Sequence, residues 1–208
     1  ARFITQDTYR GEADQPDTLH LYAYCANNPI NYTDPSGHRK FSVAKGNKYA
    51  EKYAEHRNKN YPSYRSGDCT NFASQILYAG GISMTGEWHA YRTHSTKTWR
   101  LADKFMNYWH VYKTFSKKGK QLYDLTRNVR KGDFIAYVEK SGGWDHVAYV
   151  TDKSKKKKVV KGETVYDLRI AQHSRDYCEW LSYTKKNGWV AHYKSYKKSI
   201  KYAILKRL

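Results

Sequence analysis

Cysteine is scarce in this chain of 208 residues, which holds only Cys25, Cys69 and Cys178. Three widely spaced thiols are too few for a disulfide framework or for a zinc site with four ligands. At most one disulfide can form, so at least one thiol stays free. No apolar run approaches the roughly 20 residues of a membrane-spanning helix, and no signal segment marks the N-terminus. We therefore expect a soluble chain, or a soluble piece of a longer protein, that binds no metal and no cofactor.

Acidic residues are also few: 19 Asp and Glu stand against 38 Lys and Arg, which gives a net charge of +19. Such an excess favours contact with an anionic polymer, either nucleic acid or a polymer of the cell envelope. Residues 1–38 differ, because their two basic and five acidic residues give a net charge of −3. We therefore predict a boundary after the turn sequence Asp34-Pro35-Ser36-Gly37, with a short first piece over 1–38 and the main domain over 39–208.

The apolar pattern predicts helices first and strands afterwards. Helical spacing indicates helices near Ser42 to Arg57, from Asp68 to Gly80, and over Thr96 to Trp109. Beyond Gly132 the period changes to two, which predicts strands over 133–138, 146–151, 164–171, 189–193 and 200–205. This order is typical of an α+β domain with N-terminal helices packed on a mainly antiparallel sheet.

A run of lysines at 153–158 falls between two predicted strands. Taken alone, such a run would suggest nucleic-acid binding. Its position between strands instead predicts a solvated hairpin loop, with nucleic-acid contact as the alternative.

Cys69 stands at the start of the second helix, in the segment Asp68-Cys69-Thr70-Asn71-Phe72, with Asp68 as the expected N-cap. The first turn of a helix lowers the pKa of a thiol, and the thiolate is the reactive nucleophile. An imidazole must then take the thiol proton and return it to a leaving amine. His146 suits this role, because it opens a predicted strand with a regular alternation and lies near Gly142-Gly143, which would let a substrate approach. The sequence thus predicts a Cys–His nucleophilic pair.

A third polar group usually orients the imidazole. His173 ends the strand expected beside that of His146, so we predict that it is the orienting residue, with Asp176 as the alternative. The Cys69 N–H and a polar group from Tyr64 to Asp68 are expected to form the oxyanion hole. Cys25 and Cys178 are interpreted as structural. The chain has nine histidines, and the rivals of His173 are His89, His94 and His192.

These motifs resemble the papain-like cysteine peptidases and amidases of the NlpC and CHAP type, and most closely the putative amidase domain family of bacterial proteins. The similarity covers about Tyr49 to Asp176 and rests on the segments 68–75, 79–82, 131–135, 146–150 and 172–174. The resemblance implies a papain-like cysteine hydrolase fold and amide hydrolysis, often in cell-wall peptides. It also implies that Cys69 is the nucleophile, His146 the general base and His173 the orienting residue.

Residues 1–38 resemble the end of the core domain of RHS-repeat proteins. The matching elements are Arg2 to Asp7, Leu21-Tyr22-Ala23-Tyr24, Asn27-Asn28-Pro29 and Asp34-Pro35-Ser36-Gly37. In that family the core forms a shell around a variable C-terminal toxin. The resemblance implies that Asp7 and Asp34, with Arg2 nearby, are an aspartyl pair that cuts the chain close to His38. The alternative is that both aspartates cap turns.

Together the two resemblances predict the C-terminal toxin domain of an RHS protein, secreted or delivered into a target cell as part of a larger bacterial protein. Its expected partners are a peptide or amide substrate, the RHS shell and a cognate immunity protein, with an anionic polymer on the basic surface. The alternatives are a basic toxin that targets nucleic acid, a thiol acyltransferase or protein deamidase, and a non-catalytic wall-binding module. Net charge does not choose among them.

Overall fold

The computed structural model describes residues 41–65, 67–140, 142–183 and 188–208. The predictions on Arg2, Asp7, Asp34, Cys25 and the RHS-like segment lie outside these residues. Six helices and six strands are found within the described ranges. The helices are α1 (Val43–Tyr53), α2 (Cys69–Ala79), α3 (Lys97–Arg100), α4 (Ala102–Tyr108), α5 (Gln121–Asn128) and α6 (Trp189–Tyr196). The strands are β1 (Val111–Phe115), β2 (Phe134–Val138), β3 (His146–Val160), β4 (Glu163–Gln172), β5 (Tyr177–Trp180) and β6 (Lys201–Leu205).

The strands form one sheet in the order β1-β6-β2-β3-β4-β5, and every neighbouring pair is antiparallel. Both faces of the sheet are buried. Val147 and Tyr149 face a core shared with α1, α2 and α4, whereas Ala148 and Val150 face a second core shared with α5 and α6. Successive side chains of a strand point to opposite faces, so a strand covered on both sides is apolar throughout. The predicted α+β class is confirmed.

Two of the predicted helices need correction. The first is shorter than expected and ends at Tyr53. The predicted helix over Thr96 to Trp109 is broken at Leu101, whose extended backbone (φ −104°, ψ 125°) separates α3 from α4. In one straight helix Trp99 and Phe105 would point about 120° apart. The break lets both side chains reach the same core, where each is fully buried.

The predicted strand at 189–193 is wrong, because these residues begin α6. Trp189, Val190 and Tyr193 are buried at helical spacing, and the short segment offered too few residues to separate that period from alternation. The sequence interpretation also missed α5 and the two edge strands β1 and β5. These elements are short, with only four to eight residues each.

The predicted hairpin loop at 153–158 is wrong as well, because this lysine run continues β3. The tight turn lies later, at Lys161 and Gly162, which both have positive φ (49° and 82°) as a two-residue hairpin turn requires. Lys153 is held by the end of α5: its Nζ donates to the carbonyls of Arg127 and Val129. Lys153 therefore packs against the end of α5, whereas Lys155 to Lys158 are exposed residues of the strand.

None of the helices in the described ranges combines the length and the apolar character needed to cross a lipid bilayer.

Candidate active site

Cys69 is the first residue of α2 and is 4% exposed. Helix α2 packs against β3, so the thiol lies beside the start of that strand. The backbone N–H of Val147 and the hydroxyl of Thr70, whose Oγ1 lies 3.6 Å from the sulfur, both lower the pKa of Cys69. Position at a helix N-terminus and these two groups all favour the anionic sulfur.

His146 is the first residue of β3, is 8% exposed and interacts electrostatically with Cys69. Burial alone raises the pKa of the Cys69 thiol, but the hydrogen bond and the charge of His146 outweigh it and lower the pKa to about 7. Burial alone lowers the pKa of His146, and the same contact with Cys69 raises it. Each group thus stabilises the charged form of the other, which describes a thiolate–imidazolium pair.

Gln172, at the end of β4, is the third member of the site, and the sequence interpretation passed over it. Its Oε1 lies 3.0 Å from His146 Nε2 and 2.9 Å from Trp189 Nε1. Because Nε2 of the imidazole faces Gln172, Nδ1 is the ring nitrogen left for Cys69. The amide therefore holds the ring in the way expected of an orienting group.

The expectation that His173 holds His146 is wrong. Neighbouring residues point to opposite faces of the sheet, so His173 lies on the α2 side, stacked on Phe72 with ring centroids 3.9 Å apart. Both of its ring nitrogens are used there. Nδ1 lies 2.5 Å from Asp68 Oδ2, and Nε2 lies 2.9 Å from the carbonyl of Tyr53. Gln172, one residue earlier, therefore lies on the opposite face, the one that His146 shares.

Asp176 does not orient the imidazole either. Its carboxylate accepts hydrogen bonds from Arg57 Nε at 3.0 Å and Nη2 at 3.2 Å, and from the Ser174 N–H at 3.0 Å. Burial raises the pKa of Asp176, but the Arg57 guanidinium and the charge of His173 outweigh burial, so the pKa lies below its usual value. Asp176 therefore ties the end of α1 to the turn after β4.

Asp68 was expected to cap α2 and to be a candidate oxyanion donor. Its side chain does neither. Its Oδ1 accepts from the Tyr64 N–H and from Asn71 Nδ2, both at 2.9 Å. Its own N–H donates to Ser174 Oγ at 2.9 Å. Since carboxylate oxygens only accept, the side chain serves to fix the loop that precedes Cys69. The Cys69 N–H remains a predicted donor.

Cys178 provides an internal comparison, because it is also a buried free thiol. Burial raises the pKa of Cys178, and the hydroxyl of Thr151, 3.8 Å away, offsets only part of that effect. No imidazole helps it. The contrast assigns the low pKa of Cys69 to His146 and not to the cysteine as such.

Aromatic rings enclose the imidazole on its sheet face. The ring of Tyr137 lies 5.3 Å from that of His146, and the ring of Trp189 lies 5.9 Å from it. Among the described residues no group of three or more His, Cys, Asp or Glu side chains is arranged to hold a metal ion. The site brings together a thiol, an imidazole and a side-chain amide.

Comparison with known proteins gives a family and two relatives. A model described as "Putative amidase domain" matches residues 40–204. The uncharacterized protein YjcM of Bacillus subtilis (strain 168) is 33% identical over 166 residues, which cover 76% of this chain and 38% of that protein. The uncharacterized protein YhbB of the same strain is 30% identical over 129 residues, which cover 59% of this chain and 40% of that protein. The chain thus spans less than half the length of these curated relatives, and no solved structure matches it.

Proposed function

The chain belongs to the putative amidase domain family, and we propose that it hydrolyses amide bonds with Cys69 as nucleophile and His146 as general base. The observation that carries this proposal is the position of Cys69 at the start of α2, packed on the strand that His146 opens, where His146 outweighs the effect of burial and lowers the pKa of the thiol to about 7. A perturbed thiol beside an imidazole is the arrangement that nucleophilic catalysis needs.

The reaction follows from these groups. The Cys69 sulfur attacks the carbonyl carbon of the amide, and the carbonyl oxygen takes the negative charge. His146 Nδ1–H then gives its proton to the amide nitrogen, the C–N bond breaks and an amine leaves. A thioester remains on Cys69. His146 removes a proton from water, the resulting hydroxide attacks the thioester, and the acid and the thiolate are released.

The order of these groups supports a papain-like arrangement. The nucleophile opens a helix, the imidazole opens a central strand packed on that helix, and the orienting amide ends the next strand of the sheet. Such a site is recognised by the geometry and roles of its groups, whatever their spacing in the chain. This arrangement supports the proposal that the domain is a papain-like cysteine hydrolase.

The biological setting is a separate part of the proposal. The RHS-like motifs of residues 1–38 support a C-terminal toxin domain within a larger bacterial protein, delivered to a target cell. A cell-wall peptide is the substrate that the family resemblance favours, and a cognate immunity protein would protect the producer. The net charge of +19 suits attraction to an anionic envelope polymer.

A substrate panel with matched variants tests the enzyme. The wild-type chain, Cys69→Ala and Cys178→Ala would each be incubated with purified cell-wall fragments, cytosolic protein and RNA. We expect new amino and carboxyl groups in one amide-containing sample for wild type and Cys178→Ala, and a loss of at least about a thousandfold for Cys69→Ala. Undiminished hydrolysis by Cys69→Ala contradicts the proposal.

Two other outcomes of the same panel would point elsewhere. Ammonia released without chain cleavage would indicate a deamidase, because the same thioester then forms on a side-chain amide. Damage confined to the RNA sample and independent of Cys69 would indicate a toxin that targets nucleic acid.

A further inference from the structure

The side-chain amide of Gln172 is held between two groups. Its Oε1 lies 3.0 Å from His146 Nε2 and 2.9 Å from Trp189 Nε1. Gln172 is 4% exposed and Trp189 is 2% exposed, so water does not compete freely for these bonds. Trp189 begins α6, an element that has no part in the mechanism described so far.

The chemistry of the indole fixes the direction of both bonds. An indole N–H can only donate, so the atom of the Gln172 amide that faces Trp189 must be the oxygen. The same oxygen faces His146 Nε2, so that ring nitrogen must carry a hydrogen and donate it. In the neutral imidazole the lone pair then lies on Nδ1, the nitrogen left for the Cys69 thiol.

A reversed amide would have the opposite effect. Its NH₂ group would face His146 Nε2 and would favour the tautomer with the hydrogen on Nδ1. That tautomer has no lone pair directed at Cys69 and cannot accept the thiol proton. The two orientations of a glutamine amide have nearly the same shape, because its oxygen and nitrogen are similar in size. Packing alone therefore does not select one of them.

We propose that Trp189 is a positioning residue: its indole N–H locks the Gln172 amide and so holds His146 in the tautomer that accepts the proton of Cys69. This inference rests on the proposed function and names a residue on which that function depends. Packing keeps the indole in place. Its ring stacks on Tyr202 at 5.8 Å and meets Tyr137 edge to face at 5.0 Å.

The titratable groups that act on His146 are few. Cys69 reaches it from α2, Tyr137 packs on it from β2, and Asp145 precedes it in the chain. Burial raises the pKa of Tyr137, so this phenol stays neutral over the working range. The ring of Trp189 also lies 5.9 Å from that of His146, so the test must keep an aromatic ring there if a shift is to be assigned to the lost N–H and to Gln172.

The first test removes only the N–H. Trp189→Phe keeps an aromatic ring, and the rate of Cys69 alkylation by iodoacetamide would be followed against pH in the full chain with Cys25→Ala and Cys178→Ala. We expect a midpoint near 7 without the Trp189 change. With Trp189→Phe the rate at pH 7 should fall roughly tenfold, which corresponds to a pKa about 1.3 units higher when the parent midpoint is near 7. An unchanged profile overturns the inference.

Trp88→Phe is the matched control. Trp88 is fully buried, and its Nε1 donates to Ser74 Oγ at 2.9 Å, away from His146. Trp88→Phe also loses one buried indole hydrogen bond, but that bond does not involve Gln172 or His146. Its alkylation profile should therefore match that of the parent. A tenfold loss in this variant too would show a general effect of weakening the core and would overturn the positioning role.

A double-mutant cycle separates positioning from packing. Gln172→Glu has an oxygen at both terminal positions of the side chain. The carboxylate therefore presents an oxygen to His146 in either orientation, without help from Trp189. In that background Trp189→Phe should change the alkylation rate by less than about twofold. The same tenfold loss in both backgrounds overturns the inference. A parent chain whose Cys69 titrates as an ordinary thiol contradicts the proposed function itself, whereas a reactive parent with an unaffected Trp189→Phe contradicts the role of Trp189 alone.

Discussion

The two buried thiols show how one neighbour decides the chemistry of a residue. Cys69 and Cys178 are both free and both lie in the interior. Burial raises the pKa of each, and only Cys69 has an imidazole to reverse the effect. Reactivity therefore depends on the pair and not on the exposure of the sulfur.

Removal of the imidazole should return Cys69 to an ordinary or weaker acid. For His146→Ala we expect the pKa of the thiol to rise from about 7 to 9 or higher, because only the weaker effects of the Val147 N–H and the Thr70 hydroxyl then oppose burial. The thiolate fraction at pH 7, and with it the alkylation rate, should fall roughly fiftyfold or more.

The matched control for that change is His89→Ala, since His89 Nδ1 lies 3.0 Å from the carbonyl of Thr85 and not at the thiol. It should leave the rate unchanged. An equal rate for His146→Ala would mean that the helix N-terminus alone activates Cys69.

Elements set which of two adjacent side chains reaches the site. The sequence was enough to predict a strand that ends near residues 171–173, and enough to predict a polar partner for His146 there. It was not enough to choose between Gln172 and His173, because the choice depends on the register of β4 against β3, where Tyr149 pairs with Ala171. A shift of one residue moves a side chain to the other face of the sheet.

His173 should accordingly matter for stability. His173→Ala removes the stack on Phe72 and leaves the buried carboxylate of Asp68 without its closest partner. We expect a loss of about 3 kcal/mol in the free energy of unfolding, measured in urea. The pH midpoint of Cys69 alkylation should stay near 7, because His173 does not touch His146.

The control for His173→Ala is His192→Ala, whose partner Glu139 is a partly exposed carboxylate 2.7 Å away. That change should cost much less stability. A midpoint that moves with His173→Ala while stability holds would restore His173 as the orienting residue.

At the scale of the whole molecule, the site lies where the two cores meet. Cys69 comes from the helical layer, whereas Gln172 and Trp189 belong to the opposite face of the sheet, and His146 joins them at the start of β3. No single element contains the site, so the complete domain is needed to form it.

Local patterns explain why the helix-then-strand order was predictable and the strand order was not. The α+β class follows from the change of period after Gly132. The insertion of β6 between β1 and β2 depends on pairing between residues far apart in the chain, such as Phe115 with Tyr202. Trp189 was missed as part of the site for the same reason.

The most direct measurement of the central claim is the mass of the intact chain during turnover. The protein would be mixed with cell-wall peptides, quenched in acid within seconds and digested to locate any adduct. The account predicts an acyl group on Cys69, equal in mass to the peptide without its leaving amine, and no adduct in Cys69→Ala. Two results together would contradict it: no acyl group on Cys69 of the wild-type chain, and amide hydrolysis by Cys69→Ala at the wild-type rate.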